Sequence, residues 1–192
     1  MTPILIIVIA IIAIVAALLF FASRAPAQFR VQRQATMSTP PAAPFAQVNS
    51  FRNWVDWSPW AKIDPNVKMT YEGPATGVGS VQRWEGNKRV GAGNATITVV
   101  EPDRLIRIRL EFLKPWKSTN TAEFTFEPQD GGKKTLVTWT MTGEAHLMCR
   151  VFGMLFDMDK MVGKDFEKGL NQMKQIVEGT SAPSTSAVPA LN

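Results

Sequence analysis

The chain has 192 residues, is 45% hydrophobic and 19% charged, and carries a net charge of +5. This is the composition of an ordinary globular protein with room for one cored domain and terminal appendages. A single cysteine, Cys149, excludes internal disulfides and CxxC zinc or redox motifs, and a single histidine, His146, excludes a multi-histidine metal site.

The chain opens on an uncharged apolar run. Pro3 to Ala22 contains no charged side chain, and Ile4 to Phe21 is almost wholly Ile, Leu, Val, Ala and Phe. At ~1.5 Å per residue, about 20 such residues cross a ~30 Å hydrocarbon layer. Residues 1–23 are therefore expected to be a transmembrane anchor. The competing reading is a cleaved signal peptide, for which Ala25-Pro26-Ala27 has the small-x-small form. Against it, no Lys or Arg precedes the run, which also exceeds the ~7–15 residues of a signal core. Arg24, Arg30 and Arg33 follow the run, so the positive-inside rule predicts a cytoplasmic domain, with a periplasmic or secreted location as the alternative. The basic residues beyond the anchor suit an anionic membrane surface. They form no Lys/Arg stripe, so no nucleic-acid partner is expected.

Phe29 to Met37 alternates as a strand, Pro40-Pro41 breaks it, and Ala42 to Phe51 reads as a short helix begun by the prolines. Then half of the six tryptophans fall within seven residues, at Trp54, Trp57 and Trp60. Spacing of three eclipses side chains on a 3₁₀ turn, and Pro59 stops a regular helix near Ser58. A rigid aromatic corner is predicted, either closing a core or forming the lip of a pocket.

From Val67 the apolar period becomes two. Strands are predicted at Val67–Tyr71, Val78–Trp84, Val90–Val100, Leu105–Phe112, Thr121–Phe126 and Leu136–Thr142, each ended by turn residues suited to antiparallel hairpins. Ile106, Ile108, Leu110 and Phe112 share one face, Phe124 with Phe126 and Val137 with Trp139 and Met141 do likewise, and charged or hydroxyl residues take the other. An antiparallel sheet with one solvated face follows. Its apolar face needs a cover. From about Arg150 to Val177, Leu155, Met158, Val162, Phe166, Met173 and Val177 recur at helical spacing, predicting a long amphipathic helix. Ser181 to Asn192 reads as a disordered tail. The expected class is α+β, a curved antiparallel sheet gripping a long C-terminal helix, with the domain at residues 24–180 and the tail at 181–192.

This order of elements, with its local residues, resembles the SRPBCC superfamily, also called START-like or Bet v 1-like. The similarity is greatest to the polyketide cyclase/dehydrase and lipid-transport type. It covers about Gln28 to Glu178 and is carried by Trp54-x-x-Trp57-Ser58-Pro59-Trp60, by Tyr71-Glu72-Gly73-Pro74 leading to Gly77-Val78-Gly79, and by Trp84-Glu85-Gly86-Asn87. Val137-Thr138-Trp139 and the run Asp157 to Leu170 match as well. The resemblance implies a helix-grip fold with a cavity between sheet and C-terminal helix, used in many members for hydrophobic ligands. Fold analogy alone assigns no function.

Other motifs carry little chemistry. Gly77-Val78-Gly79 and Gly91-Ala92-Gly93 do not complete GxGxxG, because Gln82 and Thr96 hold the third position, and they read as strand-end or bulge glycines. Asp157-x-Asp159 fails as a calcium loop, with Met161 at its fifth position and Lys168 at its twelfth. His146 is a possible general base with Glu144 or Asp157, but no nucleophile and orienting group accompany it. Six of nine methionines, Met141, Met148, Met154, Met158, Met161 and Met173, lie in the last strand and helix region. Methionine adapts to varied apolar partners, so this cluster suits a cavity of loose specificity.

The candidate cavity lining is Trp57, Trp60, Trp84, Phe112, Phe124, Trp139, Met141, Met158, Val162 and Phe166. A membrane-anchored domain binding a hydrophobic small molecule or lipid is expected, without catalytic residue, cofactor or metal. The alternatives are a cyclase- or hydrolase-type enzyme using His146 in the same cavity, and a partner-binding module with a filled core.

Overall fold

The computed structural model describes residues 3–24, 26–144, 150–151 and 158–179. His146, Met148, Cys149, Met154, Leu155, Asp157, the small-x-small residue Ala25 and the 181–192 tail lie outside them, as does the side chain of Met158.

Helix α1 (Pro3–Arg24) is exposed along its length except at the half-buried Leu18 and the buried Ala22. Its 22 residues make a rod of about 33 Å, long and apolar enough to cross a membrane. Strand β1 (Gln28–Met37) follows, and then the prolines start α2 (Ala42–Asn49), where Phe45 N–H donates to the Pro41 carbonyl at 3.0 Å. A 3₁₀ turn at Phe51–Asn53 runs into a single α-turn, α3 (Trp54–Trp57). Ser58 N–H closes that turn on the Trp54 carbonyl at 2.8 Å, while Ser58 itself is extended (ψ 129°), as the proline that follows requires.

The six remaining strands are β2 (Lys68–Glu72), β3 (Val81–Glu85), β4 (Ala92–Glu101), β5 (Leu105–Lys114), β6 (Ser118–Gln129) and β7 (Lys134–Glu144). They form an antiparallel meander, and β1 adds to its last strand, giving the order β1-β7-β6-β5-β4-β3-β2. Expected strand starts at Val78 and Val90 fall later in the structure. Gly77, Gly79 and Gly91 there adopt positive φ and belong to the turns.

Cross-strand register shows how the concave face is divided. One row runs Arg33, Trp139, Phe124, Ile106, and the next runs Val31, Met141, Ala122, Ile108, Ile97. Helix α4 (Met158–Val177) lies mainly along β1, and α2 packs against β5 and β6. Val48, Phe51, Trp57, Ile106, Phe124, Val137, Phe166, Leu170 and Met173 are all buried between these layers. At ~1.5–3 kcal/mol for each large apolar side chain removed from water, this layer dominates the domain's stability.

Candidate functional site

The aromatic corner supplies both packing and hydrogen bonds. The last carbonyls of a helix have no partner within it. Here Trp57 Nε1 donates to the Gln47 carbonyl and Trp54 Nε1 to the Val48 carbonyl, both at 3.2 Å, so the two indoles finish the end of α2. Their rings then meet Trp139 of β7 edge-on, Trp57 at 5.6 Å and Trp54 at 6.5 Å between centroids. Trp139 lies parallel to Phe166 of α4 at 3.9 Å and stacks on Phe124 at 4.8 Å. Trp60 touches both Trp139 and Phe166 edge-on, at 5.7 and 6.1 Å.

This stack closes one half of the concave face. Trp57, Phe124 and Phe166 are 0% exposed and Trp139 is 2% exposed. At these four positions the space between sheet and helix is filled by side chains, where a cavity wall was the expectation. The corner is core at Trp54 and Trp57, and Trp60 stands at its partly exposed margin. Gly169 permits the fit, since an added Cβ would lie 3.0 Å from the Trp139 ring and 3.1 Å from Pro59 Cδ. Met141 and Val162 pack on the stack's edge and stay partly exposed.

Trp84 and Phe112, the other two expected lining residues, lie elsewhere. They meet edge-to-face at 5.7 Å across Gly93, in a row that runs Met69, Trp84, Gly93, Phe112, Ser118. A Cβ at Gly93 would overlap the Trp84 indole, so this glycine lets the ring lie flat across β4. The neighbouring row runs Tyr71, Gln82, Ala95, Leu110, Asn120, Gly143, Phe29. Trp84, Phe112, Leu110, Tyr71 and Phe29 are partly exposed, which makes this end the open half of the concave face.

Two polar residues interrupt it. Gln82 is buried with its amide Nε2 3.2 Å from Met69 Sδ. Asn120 is 8% exposed, and its Oδ1, packed over Gly143, accepts no hydrogen bond among the described residues. An unpartnered buried acceptor costs ~1–3 kcal/mol, and a ligand hydroxyl or amide would relieve that cost. Leu110 was legible as inward-facing from strand alternation. Asn120 precedes the apparent start of its strand, so nothing in the sequence pattern singles it out.

Arg33 also faces inward, beside Trp139. Its guanidinium donates to Asp159 at 2.9 Å and Glu167 at 2.8 Å, and these carboxylates raise its pKa further above the ordinary arginine value. It lies over Gly163, where a Cβ would overlap it. A recess of about 890 Å³ opens where α1 joins the sheet, between Gln28, Arg30, Lys117, Thr142 and Glu144. Its walls mix outward-facing polar side chains with Phe29 and Gly143 of the inward row. A second recess, of about 30 Å³ beside Phe51 and Tyr71, has room for little more than a water. Glu144 is exposed, and no group of three His, Cys, Asp or Glu among the described residues is placed to hold a metal ion.

A seven-stranded antiparallel sheet wrapped on a C-terminal helix, with two short helices and an aromatic corner after its first strand, defines a helix-grip domain of the SRPBCC type. The chain belongs to the family described as polyketide cyclase / dehydrase and lipid transport, whose model matches residues 28–178. No curated protein matches it. Among solved structures, it is similar to protein SA2116 from Staphylococcus aureus, with a TM-score of 0.60 at 11% identity over 80% of this chain and 95% of that one. The Aha1 dimer from Colwellia psychrerythraea gives 0.55 at 15% identity, covering 80% and 99%. Ara h 8.0201 gives 0.51 at 12% identity, covering 80% and 97%. Identities this low establish the shared fold alone.

Proposed function

We propose that the domain binds a hydrophobic small molecule or lipid against the open half of its concave face, and that α1 anchors it in a membrane. The family's fold supports a ligand-binding domain. The observation carrying the finer reading is the partly exposed apolar surface of Trp84, Phe112, Leu110 and Tyr71 around Gly93, beside a closed aromatic core. Large apolar side chains left open on a concave surface are the usual makings of a ligand site, and a few polar groups orient what binds. Asn120 Oδ1 is such a group, favouring an apolar ligand that carries one hydroxyl or amide donor. The basic residues that follow the apolar run, Arg24, Arg30 and Arg33, support a cytoplasmic orientation. Of the expected lining, Trp84, Phe112, Met141 and Val162 remain candidates for ligand contact, with Trp60 at the margin.

The test is photocrosslinking of the full chain in vesicles containing a diazirine-bearing fatty acid, with adducts mapped by mass spectrometry. Adducts on β3, β4 and β5 that excess unlabelled fatty acid suppresses are expected. Leu110→Trp, which fills the open half, should abolish them while leaving the circular dichroism spectrum unchanged. Adducts confined to Pro3–Arg24 would remove the reading.

A further inference from the structure

The register aligns one end of the sheet with the junction to α1. Gln28, the first residue of β1, pairs with Glu144, the next row leads from Phe29 through Gly143 and Asn120 to Leu110, and Phe112 pairs with Ser118 at the same end. The β5–β6 hairpin tip, the β3–β4 turn and the start of β1 therefore share that end. Strands ~4.8 Å apart put the hairpin about 12 Å from β1. The four steps from Arg24 to Gln28 span at most about 14 Å. If α1 crosses a bilayer, this end of the sheet is held beside its surface.

The two turns at that end have matching chemistry. Residues 113–118 read Leu-Lys-Pro-Trp-Lys-Ser, and residues 86–91 read Gly-Asn-Lys-Arg-Val-Gly, with no acid in either. Trp116 is 76% exposed and Leu113 50% exposed. The register shift between Ala92 and Gly93 makes Leu113 the extra residue of a bulge, so it faces neither pairing row and projects. Lys114 is paired with Glu85 at 3.0 Å, whereas Lys88, Arg89 and Lys117 are exposed and form no salt bridge among the described residues. Of the turns at the opposite end, two mix signs, Asp103 with Arg104 and Asp130 with Lys133 and Lys134, and the β2–β3 turn at 73–80 is uncharged. An exposed tryptophan ringed by cations is the composition of a membrane-interface contact, because the indole partitions at headgroup depth and cations are drawn to anionic lipid.

We infer that the β5–β6 hairpin and the β3–β4 turn dock on an anionic bilayer surface, with Trp116 and Leu113 entering the headgroup layer. This rests on the reading of α1 as a membrane span. It also deepens the proposed function: Trp84 and Phe112 stand one row inside the Glu85–Ala92–Lys114 row that ends these strands, so the open half of the concave face meets the bilayer from which an apolar ligand would come.

The experiment uses the full chain in phosphatidylcholine vesicles, with and without phosphatidylserine, whose acyl chains carry bromine close to the headgroup. Bromine quenches only tryptophans within the interface. Quenching is expected in the serine-containing vesicles, and Trp116→Ala should remove more than half of it. Lys88→Glu with Arg89→Glu and Lys117→Glu, or high salt, should weaken it with Trp116 intact. All four positions are exposed, and circular dichroism checks that the variants fold. Equal quenching in wild type and Trp116→Ala would overturn docking. Carbonate washing separates the two readings. A chain that stays with the vesicles but shows no Trp116-dependent quenching keeps its span and loses its docking surface. A chain released by carbonate loses both.

Discussion

Gly163 in α4 sets two effects of opposite sign against each other. A glycine inside a helix costs about 1 kcal/mol relative to alanine, so Gly163→Ala should stabilise on propensity alone. The Arg33 guanidinium fills the missing Cβ position while it bridges Asp159 and Glu167, one turn to either side. We expect the contact to win and Gly163→Ala to lower Tm. With Arg33→Ala already present the sign should reverse, and thermal unfolding of the four variants measures the coupling. Phe166 makes a simpler case, parallel to Trp139 and fully buried. Phe166→Ala should cost ~3–5 kcal/mol in denaturant unfolding, and a loss below ~1 kcal/mol would mean the stack repacks. Neither arrangement is legible in the sequence. Helical spacing put Phe166 on the buried stripe, but which ring it would meet depends on the helix's rotation.

Among the elements, the outer strands β2 and β3 are held by surface charge as well as by their ladder. Arg83 pairs with Glu72 at 2.8 Å, and Lys114 reaches across Ala92 of β4 to Glu85 at 3.0 Å. The Arg83 guanidinium and the Lys114 ammonium hold the Glu72 and Glu85 carboxyls below their ordinary values. Groups with lowered folded-state pKa add stability that is complete above the unfolded value of ~4.3 and is lost as pH falls through the folded value. The Glu72→Gln, Glu85→Gln double variant should thus unfold at a slightly lower temperature than wild type at neutral pH. The gap should close in acid, and it should be small because all four side chains are exposed. A gap unchanged down to pH ~2 would show that these pairs do not act through charge. Period-two alternation located every strand of the sheet. It overran where glycine turns precede β3 and β4, since Val78 and Val90 are apolar enough to pass for strand residues, and it fell short on β6 and β7, which run on through polar residues to Ser118–Gln129 and Lys134–Glu144.

Over the whole molecule, α1 contributes little to the packing, since Ala22 is the one buried side chain of the helix. A chain lacking residues 1–24 should therefore keep the full-length Tm within a few degrees, and a large drop would make α1 part of the fold. The architecture was legible as a whole, since the strand pattern, the amphipathic C-terminal helix and the tryptophan corner admit few packings. The filling of the space at Trp57, Phe124, Trp139 and Phe166 was not. Alternation reports which side chains face inward, and Trp57, Phe124 and Trp139 do so. Whether such residues line a space or fill it depends on rings contributed by other elements, and here Phe166 and Trp54 occupy that space.

The pairing of β1 with β7 also has a consequence in time. β1 leaves the ribosome first of the seven strands, fastened to the apolar helix before it, and its partner is the last strand to be made. Until β7 arrives, Val31, Met37 and an unpaired edge stay uncovered, and contacts so distant in sequence form slowly. Newly made chains are most vulnerable at that strand, whose closure marks the completion of the sheet.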